Sequence, residues 1–286
     1  MKWEGNRQSD NVEDRRSGRG GVGGRSIGIG SVAIALVVSY FLGVSPITVL
    51  NVLTGGGTEG QTQSAPAQKP PADDRMAAFV STVLADTEDV WKAVFVQGRA
   101  TYQEPKLVLF RGTTSTACGQ GQAAMGPFYC PPDQTVYIDL DFYETLKNQL
   151  GAPGDFAQAY VIAHEVGHHV QNLMGITTKM DQMRGRVSQT EYNALSVRLE
   201  LQADCFSGLW ANRAQAARQL LEAGDVEEAM NAAARIGDDA LQRAGTGQVV
   251  PDSFTHGTSA QRQRWFQTGL KTGDVKGCDT FSARAL

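Results

Sequence analysis

The pattern of apolar and polar positions divides the chain into a polar start, one long apolar run, a second polar stretch and a patterned remainder. Residues 1–25 are charged and Gly-rich, a composition that cannot offset the entropy of ordering, so we predict a flexible tail. Residues 26–53 contain no charged side chain, and about 18 such residues can cross a hydrocarbon core as a helix. Residues 54–74 are rich in Gly, Gln, Ser and Pro, which predicts a linker. We therefore expect the folded domain over residues 75–286.

The apolar run favours an uncleaved membrane anchor over two alternatives. Polar sequence flanks it on both sides, which is unusual for a buried core helix. A cleaved signal peptide would have a shorter charged region before the run and a small-x-small site directly after it. Six Lys and Arg residues precede the run, and none follows until Lys69. We therefore predict a single-pass membrane protein whose tail is cytoplasmic and whose domain is exported to the periplasmic or extracellular side.

Beyond the linker, a few early strands are followed by helices. The segments KLVLF and TVYIDL are rich in β-branched and aromatic residues and predict strands. Apolar positions at a helical period predict helices over DDRMAAFVSTVLADTEDVWKAVF, DFAQAYVIAHEVGHHVQNL with Asp155 as N-cap, QTEYNALSVRLELQADCFSGLWANRA, DVEEAMNAAARIGDDAL and SAQRQRWFQTGL. This order indicates an α+β fold that is mostly helical with a small sheet.

Charge and cysteine content narrow the class of protein. A formal net charge of −4 over 286 residues gives no basic face, so we expect no nucleic-acid partner. All four cysteines lie beyond the apolar run, which suits an exported domain with two disulfides. Pairing Cys118 with Cys130 and Cys205 with Cys278 is the economical choice, although the spacing does not prove it. A four-cysteine zinc site is disfavoured because the chain has no C-x-x-C pair.

The segment AHEVGHHVQ carries three of the four histidines. His164 and His168 are four residues apart on a predicted helix, so their imidazoles project from one face, where they can bind Zn²⁺. Glu165 lies about 100° round the helix, at the edge of that face, and can reach a water on the metal without being a ligand. This H-E-x-x-H spacing is typical of zincins and predicts a metal site with Glu165 as catalytic base. His169 points elsewhere, and we assign it no role.

A catalytic zinc needs a third protein ligand and an open position for water. The metzincin solution fails because Gln171 and Met174 stand where a glycine and a histidine would be required. Glu200 on the next long helix is the candidate ligand, and Glu191 and Glu222 are the reserves.

Two further residues are candidates for supporting roles. Asp204 shares a helix face with Glu200 and could accept a hydrogen bond from the outer nitrogen of a ligating histidine. The alternative for both carboxylates is a solvated helix face. His256 precedes the last helix and could donate to an oxyanion, or it could be a loop histidine without a role.

These motifs resemble those of the bacterial neutral zinc metallopeptidase family. The likeness covers nearly the full length through WEGNRQSDNVEDRR, one membrane span, ACGQGQAAMGPFYCPPDQTVYIDL, AHEVGHHVQ, RLELQADCFSGLWA and FTHGTSAQRQRWF. It implies a zincin-like domain of the gluzincin type, a Zn²⁺ cofactor and a peptide or protein substrate. The site is more distantly similar to that of the HtpX and CAAX-prenyl endopeptidase group, in which a histidine and, six residues later, an arginine follow the ligands. By this likeness His256 is a candidate transition-state donor and Arg262 is expected to hold an acidic site residue, although Gly257 replaces a proline.

The sequence thus predicts a membrane-anchored zinc endopeptidase. Zinc on His164, His168 and Glu200 activates a water, while Glu165 takes its proton and passes it to the leaving amine. His256 stabilises the tetrahedral oxyanion.

The predicted strand TVYIDL could serve as a sheet edge whose backbone pairs with the substrate. Two other functions stay open. One is a catalytically inactive, metal-containing binding module tethered to the membrane, against which the intact Glu165 speaks. The other is a zinc hydrolase acting on non-protein substrates of the cell envelope, which the zinc site alone does not exclude.

Overall fold

The computed structural model describes residues 1–16, 68–122 and 126–286. Six strands occur in these residues: β1 (Val12–Asp14), β2 (Lys106–Phe110), β3 (Thr113–Thr116), β4 (Gly119–Gln122), β5 (Phe128–Cys130) and β6 (Thr135–Asp139). The helices are α1 (Arg75–Gln97), α2 (Asp141–Asn148), α3 (Asp155–Leu173), α4 (Ile176–Met183), α5 (Gln189–Arg218), α6 (Asp225–Arg235), α7 (Asp238–Gly245) and α8 (Ser259–Thr272), with 3₁₀ turns at Pro251–Ser253 and Val275–Cys278. The predicted α+β class, mostly helical with a small sheet, is confirmed.

The main sheet has the strand order β1-β2-β6-β5. The first three strands are parallel, and β5 pairs antiparallel with β6. Strands β3 and β4 form a separate hairpin. The TVYIDL strand is therefore central: β2 and β5 occupy both of its edges, and all five residues of β6 are buried. The prediction that this strand is a free edge for substrate is wrong, and β5 is the edge strand at that end of the sheet.

The first sixteen residues belong to the folded unit that also contains residues 67–286. Strand β1 pairs in parallel with β2, and Arg7 donates to the buried carboxylate of Glu88 at 2.9 Å. The ammonium group of Met1 donates to Asp155 at 2.9 Å. The prediction of a flexible tail over residues 1–25 is wrong for residues 1–16, because their charged groups find partners in the domain.

This pairing also bears on the predicted membrane topology. Strands of one sheet lie on the same side of a membrane, so β1 cannot be cytoplasmic while β2 is exported. Within the described ranges, no helix is both long and apolar enough to span a bilayer. The predicted anchor, residues 26–53, lies outside those ranges, as does most of the predicted linker at residues 54–74.

The predicted helices are present, with two differences. Gly154 is the N-cap of α3, and Asp155 is the first helical residue, whose carboxylate accepts from the Met1 ammonium. The predicted helix DVEEAMNAAARIGDDAL is two helices, α6 and α7, interrupted at Gly237. A Cβ at Gly237 would lie 2.4 Å from the backbone nitrogen of Ser259, so the chain turns there against the start of α8.

Helices α3, α5 and α8 approach one another closely because small residues line their crossings. A Cβ at Gly167 of α3 would lie 3.1 Å from the Cα of Ala203 on α5. A Cβ at Gly269 of α8 would lie 1.9 Å from the carbonyl oxygen of Cys205. The structure pairs Cys205 with Cys278 and Cys118 with Cys130, as predicted. The first of these disulfides links α5 to the C-terminal segment beside these crossings.

Candidate metal centre

The side chains of His164, His168 and Glu200 converge between α3 and α5. One ligand atom from each lies within 4.8 Å of the others. The Nε2 atoms of His164 and His168 are 3.1 and 3.5 Å from the two carboxylate oxygens of Glu200. Ligand atoms of a tetrahedral zinc, each about 2.0–2.1 Å from the metal, are about 3.3 Å apart. The donor set and these two distances therefore suit a Zn²⁺ ion.

The outer ring nitrogens of both histidines have acceptors. Nδ1 of His164 lies 2.8 Å from a carboxylate oxygen of Asp204, and Nδ1 of His168 lies 2.9 Å from the amide oxygen of Gln171. Each acceptor retains the proton on Nδ1 and leaves the Nε2 lone pair directed at the metal position. Gln171 itself is fixed because its amide nitrogen donates to the carbonyl oxygen of Leu199 at 2.7 Å. Our sequence reasoning used Gln171 only to exclude a metzincin site and missed this role.

Asp204 is the centre of a buried charged network. Arg262 donates to its carboxylate through Nε at 2.8 Å and through a terminal nitrogen at 2.9 Å. Tyr160 donates to the same carboxylate at 2.5 Å. Asp204 is fully buried and Arg262 is only 3% exposed, so neither charge could remain there without the other. The structure thus places Arg262 on an acidic residue of the site, as the resemblance implied.

In the metal-free site, the carboxylates and imidazoles shift one another's pKa values. Burial opposes ionisation of Asp204, but Arg262 and His164 outweigh it and lower its pKa to about 2. Burial likewise opposes protonation of His164, but Asp204 and Glu200 raise its pKa to about 9. Burial alone would raise the pKa of Glu200, but the two imidazoles outweigh it and hold that pKa well below its usual range. Two carboxylates directed at imidazoles create a site that attracts a cation, and a proton takes that place when no metal is bound.

Glu165 lies beside the metal position without being part of the ligand cluster. Its side chain is mostly buried, at 8% exposure, and among the described residues it has no hydrogen-bonding partner. Burial raises its pKa, while the neighbouring imidazoles act in the opposite direction. An acceptor that is free, partly desolvated and next to the metal is suited to take a proton from water.

The reserve ligands are not part of this cluster. Glu191 is in the capping box of α5, where it accepts from the backbone and hydroxyl of Ser188. Glu222 lies 3.2 Å from the ammonium of Met1. Among the described residues, Glu200 is the only carboxylate with oxygens within 4.0 Å of both imidazoles.

His169, to which we assigned no role, is fully buried on the opposite side of α3. Its Nδ1 accepts from the hydroxyl of Tyr129 at 3.0 Å, and its Nε2 donates to the carbonyl oxygen of Gln103 at 2.6 Å. Burial lowers its pKa to about 4, so the ring is neutral at physiological pH. His169 thus connects edge strand β5 and the segment before β2 to α3 through these two hydrogen bonds. Sequence spacing indicated only that it faces away from the metal.

His256 lies in the loop before α8, next to the turn of α5 that carries Glu200. A Cβ on the neighbouring Gly257 would lie 3.2–3.3 Å from side-chain atoms of Val197 and Leu201. The His256 side chain is 51% exposed. Partial desolvation of the ring is outweighed by Asp238 and by the charge of Glu200, so its pKa is raised. The structure therefore places an accessible imidazole with a raised pKa beside the turn of α5 that carries Glu200.

Comparison with known proteins agrees with this geometry. Residues 1–281 match the model of the family described as "Putative neutral zinc metallopeptidase". The chain belongs to this family. It is 52% identical to "Uncharacterized protein YpfJ" of Escherichia coli (strain K12) over 286 residues, which cover 98% of the chain and 99% of that relative.

A second relative is more distant. The chain is 44% identical over 209 residues to "Uncharacterized protein Rv2575" of Mycobacterium tuberculosis (strain ATCC 25618 / H37Rv), a match that covers 69% of the chain and 68% of that protein. No solved structure matches the chain. The family description supplies zinc and peptidase activity as general properties, and neither relative's name adds a substrate.

Proposed function

We propose that the protein is a zinc-dependent endopeptidase. The observation that carries this proposal is the convergence of the His164 and His168 Nε2 atoms on the Glu200 carboxylate, with the unpaired carboxylate of Glu165 beside them. A purely structural zinc site has four protein ligands and no need of a free acceptor. Three ligands with an adjacent base are typical of hydrolysis.

His164, His168 and Glu200 would hold a zinc ion, which would supply Lewis acidity to the attacking water and to the scissile carbonyl. Glu165 accepts a proton from the attacking water as its oxygen bonds to the carbonyl carbon. When the carbon–nitrogen bond breaks, Glu165 returns that proton to the leaving amine. Asp204 and Gln171 keep the two imidazoles oriented, and the exposed ring of His256 donates to the oxyanion.

Two variants separate metal binding from proton transfer. Glu165→Gln should retain one zinc per chain and lose hydrolysis of casein and of a peptide library, whereas His164→Ala should lose both. Glu191→Gln is the matched control because Glu191 lies in the capping box of α5. The wild-type activity should be abolished by phenanthroline and restored by zinc.

Three results would contradict parts of this proposal. Cleavage by Glu165→Gln at the wild-type rate would exclude Glu165 as the base. A wild-type protein that binds zinc but cleaves no peptide would favour an inactive binding module. Release of soluble products from cell-envelope material, without peptide cleavage, would favour a hydrolase with a non-protein substrate.

Attachment to a membrane through residues 26–53 stays a prediction from the sequence. The sheet limits how this segment can be arranged in a membrane, because β1 precedes it, β2 follows it, and the two strands pair with each other. We infer that both flanks lie on the same side of any membrane that the segment enters. Carbonate extraction of membranes tests attachment, and protease accessibility of the two flanks in sealed vesicles tests their sidedness.

A further inference from the structure

The loop that carries His256 is organised by a single carboxylate on another helix. One oxygen of Asp238 accepts three successive backbone N–H groups, from Thr255, His256 and Gly257, at 2.8, 2.7 and 3.0 Å. Its other oxygen lies 3.2 Å from Nδ1 of His256. The backbone nitrogen of Asp238 donates in return to the carbonyl oxygen of Gly257 at 2.9 Å. Asp238 therefore fixes both the path of the loop and the ring that the loop presents.

Asp238 reaches this position because the chain breaks between α6 and α7. Gly237 packs against the backbone of Ser259, which brings the first turn of α7 next to the start of α8. Asp238 is only 9% exposed. A nearly buried carboxylate with both oxygens committed to one loop differs from the solvated acidic residue that is usual in the first turn of a helix.

The hydrogen bond to Asp238 selects the form of the imidazole. A carboxylate only accepts, so Nδ1 of His256 must carry the proton in that contact, and Thr255 Oγ1 is the other group near Nδ1, at 3.0 Å. Nε2 then lies on the side of the ring away from Asp238. An adjacent carboxylate also favours the doubly protonated ring, in which Nε2–H is a donor. A donor at this point is what an oxyanion next to Glu200 would require.

We propose that Asp238 is a positioning residue of the metal centre, which acts through His256 by holding its ring with Nδ1 bound and Nε2 directed to substrate. This proposal rests on the proposed peptidase function, because it deepens the role given there to His256. The hydrogen bonds of the Asp238 carboxylate all go to the loop of Thr255 to Gly257, and none goes to His164, His168 or Glu200. The effect of Asp238 on turnover must therefore vanish when His256 is absent.

A double-mutant cycle in the full-length, zinc-loaded protein tests this dependence. His256→Gln should lower kcat about 100-fold or more on a peptide that the wild type cleaves. Asp238→Asn should lower kcat about tenfold or more with KM changed less than about twofold, as for other residues that orient a site group. Adding Asp238→Asn to His256→Gln should cost less than about twofold further. Independent, additive losses would overturn the proposal.

Asp239 provides a matched control one residue away. It also holds this region, since one carboxylate oxygen accepts from the backbone and hydroxyl of Ser259 at 2.7 and 2.9 Å, but it does not contact His256. Asp239→Asn should lower thermal stability as Asp238→Asn does and leave kcat within about twofold. Equal losses of kcat in both variants would show that Asp238 only stabilises the loop.

Two measurements do not depend on turnover. In zinc-loaded Glu165→Gln, ring ¹⁵N spectra should show a hydrogen-bonded Nδ1–H for His256, assigned by its loss in the His256→Gln variant. An Nε2–H tautomer with a free Nδ1 would overturn the proposal even if Asp238→Asn does not fold.

A phosphinate-containing peptide should bind at least about tenfold more weakly when either Asp238 or His256 is changed. If the wild type neither cleaves peptides nor binds this probe, the proposed function fails. The ring spectrum still tests the hydrogen bond between Asp238 and His256.

Discussion

The two imidazoles of the metal centre are supported by opposite kinds of chemistry. Behind His164 lies a buried charged network of Asp204 and Arg262, closed by the hydroxyl of Tyr160. Behind His168 lies one neutral amide, Gln171, held by a backbone carbonyl. A carboxylate makes its histidine a stronger ligand and also a stronger base, whereas an amide only fixes the orientation. The difference predicts that the His164 side determines both affinity for zinc and competition with protons.

The largest effect should come from removing the cation of this network. Arg262→Met leaves the fully buried carboxylate of Asp204 without its counter-charge, which should lower the free energy of unfolding by about 3–5 kcal/mol. Chemical denaturation of the metal-free protein measures this, and Arg264→Met, at an exposed position of the same helix, is the control. A decrease in the free energy of unfolding below about 1 kcal/mol would mean that Asp204 does not depend on Arg262 for its counter-charge.

Next in size is the effect of neutralising the carboxylate behind His164. Asp204→Asn keeps the shape of the side chain but removes its charge, and zinc affinity should fall about 10–100-fold. Competition with a chromophoric chelator gives the dissociation constant. Asp181→Asn, on the exposed surface of α4, should leave it unchanged. An unaltered affinity in Asp204→Asn would remove the distinction between the two supports.

The dependence of zinc binding on pH sharpens the same point. In the metal-free protein, burial is outweighed by Asp204 and Glu200, which raise the pKa of His164 to about 9, so zinc must displace its proton at neutral pH. Affinity should therefore rise about tenfold per pH unit for each displaced proton between pH 7 and 8.5. In Asp204→Asn the pKa of His164 falls and this slope should flatten. Equal slopes in the two proteins would contradict the assignment of that proton.

The smallest effect should come from the amide. Gln171→Met removes the acceptor of His168 without removing a charge, so zinc affinity should fall less than about tenfold. The same chelator competition measures it, alongside Asp204→Asn. Equal losses in the two variants would show that orientation, and not charge, is what both partners contribute.

The sequence alone predicted which residues converge in the candidate site, because their spacing is imposed by helix geometry. His164 and His168 are four residues apart on one helix, and Glu200 and Asp204 are four residues apart on another. The apolar period predicts both helices. Such local regularities need no knowledge of distant residues. Gln171 and His169 lie on α3 with His164 and His168. Their roles depend on groups from other elements, so the sequence did not reveal them.

The errors share a physical cause, since each depends on contacts between distant parts of the chain. Residues 1–16 have the composition of a tail, but Glu88 is buried where Arg7 can reach it. The central position of β6 is set by which strands pair with it, and composition does not encode pairing. The break at Gly237 is set by the backbone of Ser259. It is also the break that brings Asp238 to His256.

The place of β1 in the sheet has a consequence for how the chain is made. Val12 to Asp14 leave the ribosome almost a hundred positions before β2, the strand with which they pair. The amino group of Met1 meets Asp225 across a separation of 224 residues. Contacts of such long range close late and slow folding. Strand β1 must therefore stay unpaired until β2 has been made, and a recombinant fragment that starts at residue 75 would leave one edge of β2 without a partner strand.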